Sequence, residues 1–148
     1  KEIQSSLPLS QKYIRQKMST QITCEDLISL AEKNPNGYLL DVRTELEWKT
    51  DGKPDGGKLG LRTFYISYLI DTKEGRIINP NFENELNKLN LDKNKILIVM
   101  CKSGMRSKKV AEILDQKGFN TYNVLNGFIC SEEVQPRCWK TSGLPVLN

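Results

Sequence analysis

The chain of 148 residues contains no histidine. A cysteine–histidine or serine–histidine catalytic pair is therefore impossible, and a zinc site with histidine ligands is excluded for the same reason. The four cysteines (Cys24, Cys101, Cys130 and Cys138) form no C-x-x-C pair, which argues against a zinc ribbon and a thioredoxin-like redox motif. We therefore expect neither a metal ion nor another cofactor.

Long apolar runs are also missing. No stretch approaches the length of a membrane span, and the N-terminus has no hydrophobic region typical of signal peptides. The formal net charge of +4 is modest and the basic residues are scattered, so we expect small anionic partners, no nucleic acid and no membrane. Because the chain begins at Lys1 rather than Met, we favour a periplasmic location with a processed N-terminus over a cytoplasmic one.

The composition, 38% hydrophobic and 27% charged, is that of an ordinary globular protein. A chain of this length forms one domain with a buried core. Residues 1–20 are polar with weak periodicity, and we interpret them as an N-terminal extension that either packs as a short helix or frays. We assign residues 21–148 to a single domain.

The most informative segment joins a predicted strand to a predicted helix and reads Cys101-Lys102-Ser103-Gly104-Met105-Arg106-Ser107. The aliphatic run before it, Ile96–Met100, is typical of a buried strand, and residues 107–117 have the apolar face of a helix. Loop amides and a helix N-terminus bind anions and stabilise a thiolate relative to a thiol. Cys101 is either a small buried hydrophobic residue or a nucleophile, and the glycine, serine and basic residues behind it favour the nucleophile.

Helices and strands alternate along the rest of the chain. Helices are predicted after a capping box at residues 23–26, around residues 45–49 and after Asn79-Pro80, and strands at residues 38–42, 63–70 and 121–125, with a turn at 71–76. This alternation predicts an α/β fold with an open parallel sheet flanked by helices on both faces. Sites in such folds lie at the carboxyl ends of strands, where Cys101 and the segment Asp41-Val42-Arg43 are found.

Residues 20–148 resemble a rhodanese-type sulfurtransferase domain. The resemblance is carried by several short motifs in the expected order: Asp41-Val42-Arg43 with Glu45, Glu47 and Trp48, the loop of residues 101–107, Gly118-Phe119, Tyr122-Asn123-Val124, Asn126-Gly127-Phe128, Trp139-Lys140 and Gly143-Leu144-Pro145-Val146. The loop at residues 52–55 is also similar to that of small bacterial polysulfide-sulfur transferases.

The resemblance implies a specific chemistry. The Cys101 thiolate would take the sulfane sulfur of thiosulfate, polysulfide or a small persulfide, and the resulting Cys101 persulfide would pass that sulfur to cyanide or to a thiol, including a protein thiol. Two alternatives stay open. The domain is a sulfur carrier or docking module without its own turnover, or it is a cysteine phosphatase or arsenate reductase. A phosphatase loop needs C-x-x-x-x-x-R, whereas Arg106 follows Cys101 after four residues.

The loop residues are the predicted substrate-binding set: Lys102, Ser103, Gly104, Met105, Arg106 and Ser107. Lys102 is expected at the pocket mouth, Ser103 beside the persulfide and Ser107 at the helix cap. Arg106 either faces the anion or braces Asp41 or a nearby glutamate.

Asp41 and Arg43 are predicted as supporting residues, because a buried carboxylate near the loop usually pairs with a cation and holds the loop's shape. Glu47 and Trp48 are expected to pack their helix, with a salt bridge from Glu47 to Arg43.

The other cysteines lie outside this motif. Cys130 and Cys138 flank an insertion and form either a disulfide, which would indicate an oxidising compartment, or two free thiols. Cys24 is expected to be a packing residue. Residues 63–81 form a longer connection than the family usually has, which leaves the pocket rim and the substrate preference open.

Overall fold

The computed structural model describes residues 20–148. Its elements, in chain order, are β1 (Thr20–Ile22), α1 (Cys24–Lys33), β2 (Tyr38–Asp41), α2 (Glu45–Asp51), β3 (Lys53–Pro54), a 3-10 turn (Gly56–Leu59), β4 (Arg62–Tyr65), β5 (Leu69–Thr72), β6 (Gly75–Ile78), α3 (Phe82–Lys88), β7 (Ile96–Met100), α4 (Met105–Gln116), β8 (Asn120–Val124) and β9 (Val146–Leu147). The predicted N-terminal extension lies outside the described residues, except for Thr20.

Five strands form one parallel sheet in the order β1-β8-β7-β2-β4. The apolar strand β7 lies at its centre, with β2 on one side and β8 on the other. The predicted α/β fold with an open parallel sheet is therefore confirmed. The predicted strand at residues 96–100 has the same bounds in the structure.

Helices cover both faces of the sheet, and the side chains of β7 alternate between the two. Ile98 and Met100 face a core that contains Leu27 of α1. Val99 and Cys101 belong to the opposite core, formed with α3 and α4. Because side chains alternate along a strand, the residue that follows Met100 points to the α4 side of the sheet. Cys101 is placed there by this alternation.

Cys24 is completely buried in the first turn of α1, as expected of a packing residue. Burial raises the pKa of its thiol to about 11, with a hydrogen bond to Ser142 acting in the opposite direction. The Thr23 side chain caps this helix by accepting a hydrogen bond from the Asp26 amide.

The helix behind Cys101 begins earlier than predicted. It starts at Met105 rather than at Ser107, because Gly104 adopts a left-handed conformation (φ 103°) and its carbonyl accepts the first helical hydrogen bond, from Lys108. Ser107 consequently lies inside the first turn, and its predicted role as the helix cap is wrong. Sequence periodicity missed this start because the apolar face begins only at Val110.

The predicted strand at residues 63–70 is two strands. The chain leaves the sheet after Tyr65 and forms an antiparallel hairpin of β5 and β6, whose turn lies at residues 73–74, inside the predicted turn. The hairpin base is closed by Asn79, which donates its amide to the Tyr68 carbonyl (2.8 Å) and its side chain to the Ser67 carbonyl (2.9 Å). The unusually long connection is therefore an ordered structural unit.

Cys130 and Cys138, whose pairing the sequence left open, are joined by a disulfide with a Cα–Cα distance of 6.1 Å. The next residue, Trp139, is fully buried and its amide donates to the Gly127 carbonyl (2.9 Å). The disulfide therefore closes a short loop next to the segment that supports the carboxyl end of β7.

A fully buried ion pair lies where β2 ends. Arg43 donates from Nη2 to the Asp41 carboxylate (2.8 Å) and to the Gly52 carbonyl (2.9 Å), and its guanidinium stacks 4.0 Å from the Phe128 ring centroid. Burial raises the pKa of Asp41, and hydrogen bonds from Arg43 oppose the rise. The pair connects β2, the end of α2 and the segment that contains Phe128.

Replacing Arg43 with methionine should leave the Asp41 carboxyl buried without its cation. Breaking a buried ion pair from one side costs about 3–5 kcal/mol. We therefore expect Arg43→Met to lower the free energy of unfolding by this amount in urea denaturation. The exposed Arg137→Met is the matched control and should change it by less than about 0.5 kcal/mol. A loss for Arg43→Met no larger than that of the control would contradict the supporting role of the pair.

Candidate active site

Cys101 directly follows β7, and hydrogen-bond donors converge on its sulfur. The backbone amides of Gly104 and Ser107 each lie 3.2 Å from Sγ. Both amides belong to the N-terminal end of α4, where backbone N–H groups have no partner within the helix. The sulfur therefore occupies the position at which a helix N-terminus binds an anion.

A hydroxyl group also lies beside the sulfur. Ser107 Oγ lies 3.3 Å from Cys101 Sγ and also donates to Asn123 Oδ1 on β8. Asn123 is buried, and its Nδ2 donates to the Gly104 carbonyl (3.1 Å). The hydroxyl beside the sulfur thus belongs to Ser107, whereas the sequence assigned this position to Ser103. In the sequence, Asn123 belongs to the motif Tyr122-Asn123-Val124, and no role in the site was predicted for it. A polar residue inside a predicted strand was the only signal that could have indicated one.

Arg106 forms a two-pronged ion pair with Glu47 of α2. Its Nη1 and Nη2 atoms lie 2.8 Å from Oε1 and Oε2, respectively. The predicted salt bridge between Glu47 and Arg43 is wrong, because Arg43 is held by Asp41. Of the two arrangements considered for Arg106, the structure has the one in which it braces a nearby glutamate.

The pKa values of this pair follow from the geometry. Burial alone raises the pKa of Glu47, but hydrogen bonds from Arg106 and Thr44 outweigh it and lower the pKa to about 2. The same carboxylate raises the pKa of Arg106. Glu47 also completes a capping box with Thr44 at the start of α2, so one carboxylate anchors both the helix and the arginine of the Cys101 loop.

The remaining loop side chains face outward. Lys102, Ser103 and Met105 are exposed, with Met105 at 74% exposure, whereas Cys101 is only 1% exposed. Lys102 therefore lies on the outer side of the loop, and its predicted place at the pocket mouth stays a prediction. The outer side of the loop is therefore open to solvent, whereas the sulfur lies beneath it.

The backbone of the loop rests on residues 126–129. The amide of Phe128 donates to the Cys101 carbonyl (2.9 Å) and to the Lys102 carbonyl (3.0 Å). Gly127 has a positive φ of 65°, and a Cβ there would come within 2.6 Å of the Cys101 carbonyl oxygen. Only glycine fits this close approach, so Gly127 fixes how deeply the loop is seated.

Asp41 and Arg43 lie behind the site and direct their charges at each other. The amide of Val42, between them, donates to the Met100 carbonyl (2.9 Å), so the pair fixes the backbone next to Cys101. Within residues 20–148, no three acidic or cysteine side chains are grouped as metal ligands. None of the helices in that part of the chain is long and apolar enough to span a membrane.

Similar proteins place this geometry in a known family. The rhodanese-like domain matches residues 23–129. An uncharacterised protein of Rickettsia conorii is 30% identical over 131 residues, which are 86% of this chain and 98% of that protein.

Two solved structures share the fold. The crystal structure of Rv0390 from M. tuberculosis has 32% sequence identity and a TM-score of 0.71, over 86% of this chain and 96% of that one. The solution structure of a polysulfide-sulfur transferase homodimer from Wolinella succinogenes has 28% identity and a TM-score of 0.62, over 92% and 82%. With a cysteine loop at the carboxyl end of a central parallel strand and a family match over most of its length, this chain belongs to the rhodanese-like domain family.

Proposed function

We propose that this protein is a sulfurtransferase that carries sulfane sulfur as a persulfide on Cys101. The observation that carries the proposal is the convergence of two backbone amides on Cys101 Sγ. Fixed N–H donors stabilise a sulfur anion without any proton transfer, so the chemistry needs no histidine base. The named activity of the polysulfide-sulfur transferase with the same fold supports this choice.

In the first step the Cys101 thiolate attacks the terminal sulfur of an anionic donor. With thiosulfate, a bond forms between Sγ and the outer sulfur, the sulfur–sulfur bond of the donor breaks, and sulfite leaves with the electron pair. With polysulfide the leaving group is the chain shortened by one sulfur. Either way, the enzyme ends as a Cys101 persulfide anion held by the loop amides.

In the second step an acceptor attacks the outer sulfur of the persulfide. Cyanide forms thiocyanate, or a thiolate forms a new persulfide, and Cys101 returns as the thiolate. No proton is needed in the transfer itself. The sulfur of Cys101 is almost inaccessible (1% residue exposure), so the donor must present a terminal, single-atom group, which sulfane sulfur provides.

The position of Arg106 argues against the phosphatase alternative. A phosphatase needs this arginine to clamp a tetrahedral phosphate, whereas both of its Nη atoms here are bound to Glu47. A sulfur carrier and an enzyme would both form the Cys101 persulfide, and only the enzyme would turn over repeatedly. Catalytic formation of thiocyanate from thiosulfate and cyanide would therefore distinguish these two.

Incubation with thiosulfate or polysulfide should add the mass of one sulfur atom to the intact protein. We expect the adduct in the wild type and in Cys24→Ala, because Cys24 is buried in the core away from the loop. Cys101→Ala should show no adduct and no thiocyanate formation. Intact-mass spectrometry under non-reducing conditions makes the measurement.

The proposal fails if no sulfane donor gives an adduct on folded wild-type protein. It also fails if Cys101→Ala retains the adduct. Faster turnover of p-nitrophenyl phosphate than of thiosulfate would favour the phosphatase instead.

Glu47 should make stability depend on pH under acidic conditions. Its pKa is lowered from 4.5 to about 2, so its stabilising contribution is complete above pH 4.5 and is lost as the pH falls towards 2. Glu47→Gln keeps a group that can cap α2 but loses the ion pair with Arg106. At neutral pH we expect it to lower the free energy of unfolding by about 1.5–3 kcal/mol, the usual range for hydrogen bonds to charged groups.

The difference between wild type and Glu47→Gln should shrink between pH 4.5 and 2 in urea denaturation. Glu45→Gln, an exposed substitution in the same first turn of α2, is the control and should keep the wild-type pH profile. A constant difference across this range would show that Glu47 does not act through its charge.

A further inference from the structure

The hydroxyl group of Ser107 lies between two groups that can accept its single proton. One is Cys101 Sγ, at 3.3 Å, and the other is Asn123 Oδ1. A hydroxyl donates one hydrogen bond at a time, so these two acceptors compete. All three residues are at most 1% exposed, so water has little access to replace either hydrogen bond.

The orientation of the Asn123 amide is fixed by its other contacts. Its Nδ2 faces the Gly104 carbonyl (3.1 Å) and Gln21 Oε1 (2.9 Å). A backbone carbonyl only accepts, so the NH2 group must point towards Gly104. The oxygen Oδ1 then faces Ser107, and it can only accept. Asn123 is therefore a permanent competitor of the sulfur for the Ser107 proton.

We propose that Asn123 is a positioning residue that controls the reactivity of Cys101 by holding the Ser107 hydroxyl away from the sulfur. In the thiol form, the S–H of Cys101 donates to Ser107 Oγ, and Ser107 donates to Asn123. When the thiolate forms, the hydroxyl can turn to the sulfur only by leaving the buried Oδ1 without this donor, which is unfavourable. The inference rests on the proposed function for its biological meaning.

The same competition matters after sulfur transfer. In the persulfide, Sγ is an uncharged sulfur bonded on two sides, and the negative charge lies on the outer sulfur. The Ser107 hydroxyl then donates its hydrogen bond to Asn123 Oδ1, while the loop amides remain available to the anion. Asn123 thus favours the thiol and the persulfide over the bare thiolate, which limits reaction of the resting sulfur with unintended electrophiles.

Charged groups from four parts of the fold also surround Cys101. Its own loop has Lys102 and Arg106, and α2 has Glu47, which binds Arg106. The end of β2 has the pair of Asp41 and Arg43, and the hairpin has Arg76, whose Nη2 lies 3.9 Å from Glu47 Oε1. None of them contacts the Ser107 hydroxyl in the hydrogen bonds of residues 20–148. A substitution that removes only the Asn123 acceptor leaves this charge distribution unchanged.

The test is the pH dependence of Cys101 alkylation by iodoacetamide in a cycle of four proteins: wild type, Asn123→Leu, Ser107→Ala and the double variant. Asn123→Leu frees the hydroxyl for the thiolate. We therefore expect the pH at which the alkylation rate is half its maximum, the alkylation midpoint, to fall by about 0.5–1 pH unit. Below that midpoint, alkylation should be roughly 3- to 10-fold faster than in the wild type. In the Ser107→Ala background, Asn123→Leu should produce no shift. Peptide mapping separates Cys101 from Cys24.

The cycle separates a hydroxyl effect from a change of loop shape. Equal shifts with and without the Ser107 hydroxyl would show that Asn123 acts through Gly104 instead. No shift on Asn123→Leu in the protein that retains Ser107 would overturn the proposal. Gln21→Met is the matched control, because exposed Gln21 contacts the Asn123 amide nitrogen but not its oxygen. It should leave the alkylation midpoint unchanged.

An infrared measurement covers the case in which Asn123→Leu does not fold. At acidic pH the S–H stretching band of Cys101, assigned by difference from Cys101→Ser, should lie at lower wavenumber in the wild type than in Ser107→Ala, because the wild-type thiol donates to Ser107 Oγ. Bands at the same position would overturn the proposed proton arrangement. Neither measurement uses a sulfur donor, so the absence of a persulfide adduct would refute the proposed function separately.

Discussion

Two backbone N–H groups, from Gly104 and Ser107, point at Cys101 Sγ, and the surrounding structure holds them there. The left-handed Gly104 turns the chain so that α4 can begin beside the sulfur. The close approach of Gly127 seats the loop, and the amide of Phe128 binds its carbonyl oxygens. Each of these features is a backbone property, so the site depends more on chain path than on reactive side chains.

The buried and half-buried charges of the site are arranged in pairs. Arg43 is neutralised by Asp41, and Arg106 by Glu47. The positive potential at the sulfur therefore comes mainly from the backbone dipoles at the start of α4. This arrangement can stabilise a sulfur anion by backbone N–H groups alone, without a free cation beside it.

The sequence indicated the sheet, strand β7 and the cysteine loop, because each is encoded by neighbouring residues. Strand β7 is a continuous apolar run, and the loop has its glycine, serine and basic residues within one short segment. The sequence left open whether Arg106 braces a glutamate, and it assigned Glu47 to Arg43 instead. Glu47 and Arg106 are 59 positions apart, and no local pattern chooses between the two arginines as its partner.

The other differences have the same physical origin. The predicted strand at residues 63–70 ends early because the β5–β6 hairpin is defined by its own pairing rather than by its hydrophobicity. The role of Ser107 depends on Asn123, which is brought to it by the pairing of β7 with β8. Strand alternation explains which face Cys101 occupies, but the sequence could not predict which polar groups the neighbouring strand presents there.

The hairpin of β5 and β6 is a unit of its own, because its base is closed by Asn79 before the chain enters α3. Its outer strand presents the exposed side chains of Ile77 and Ile78, and Arg76 Nη2 lies 3.9 Å from Glu47 Oε1. Within residues 20–148, none of the hydrogen bonds to Cys101 Sγ comes from the hairpin. The hairpin therefore shapes the surface beside the Glu47–Arg106 pair without taking part in the seating of the sulfur.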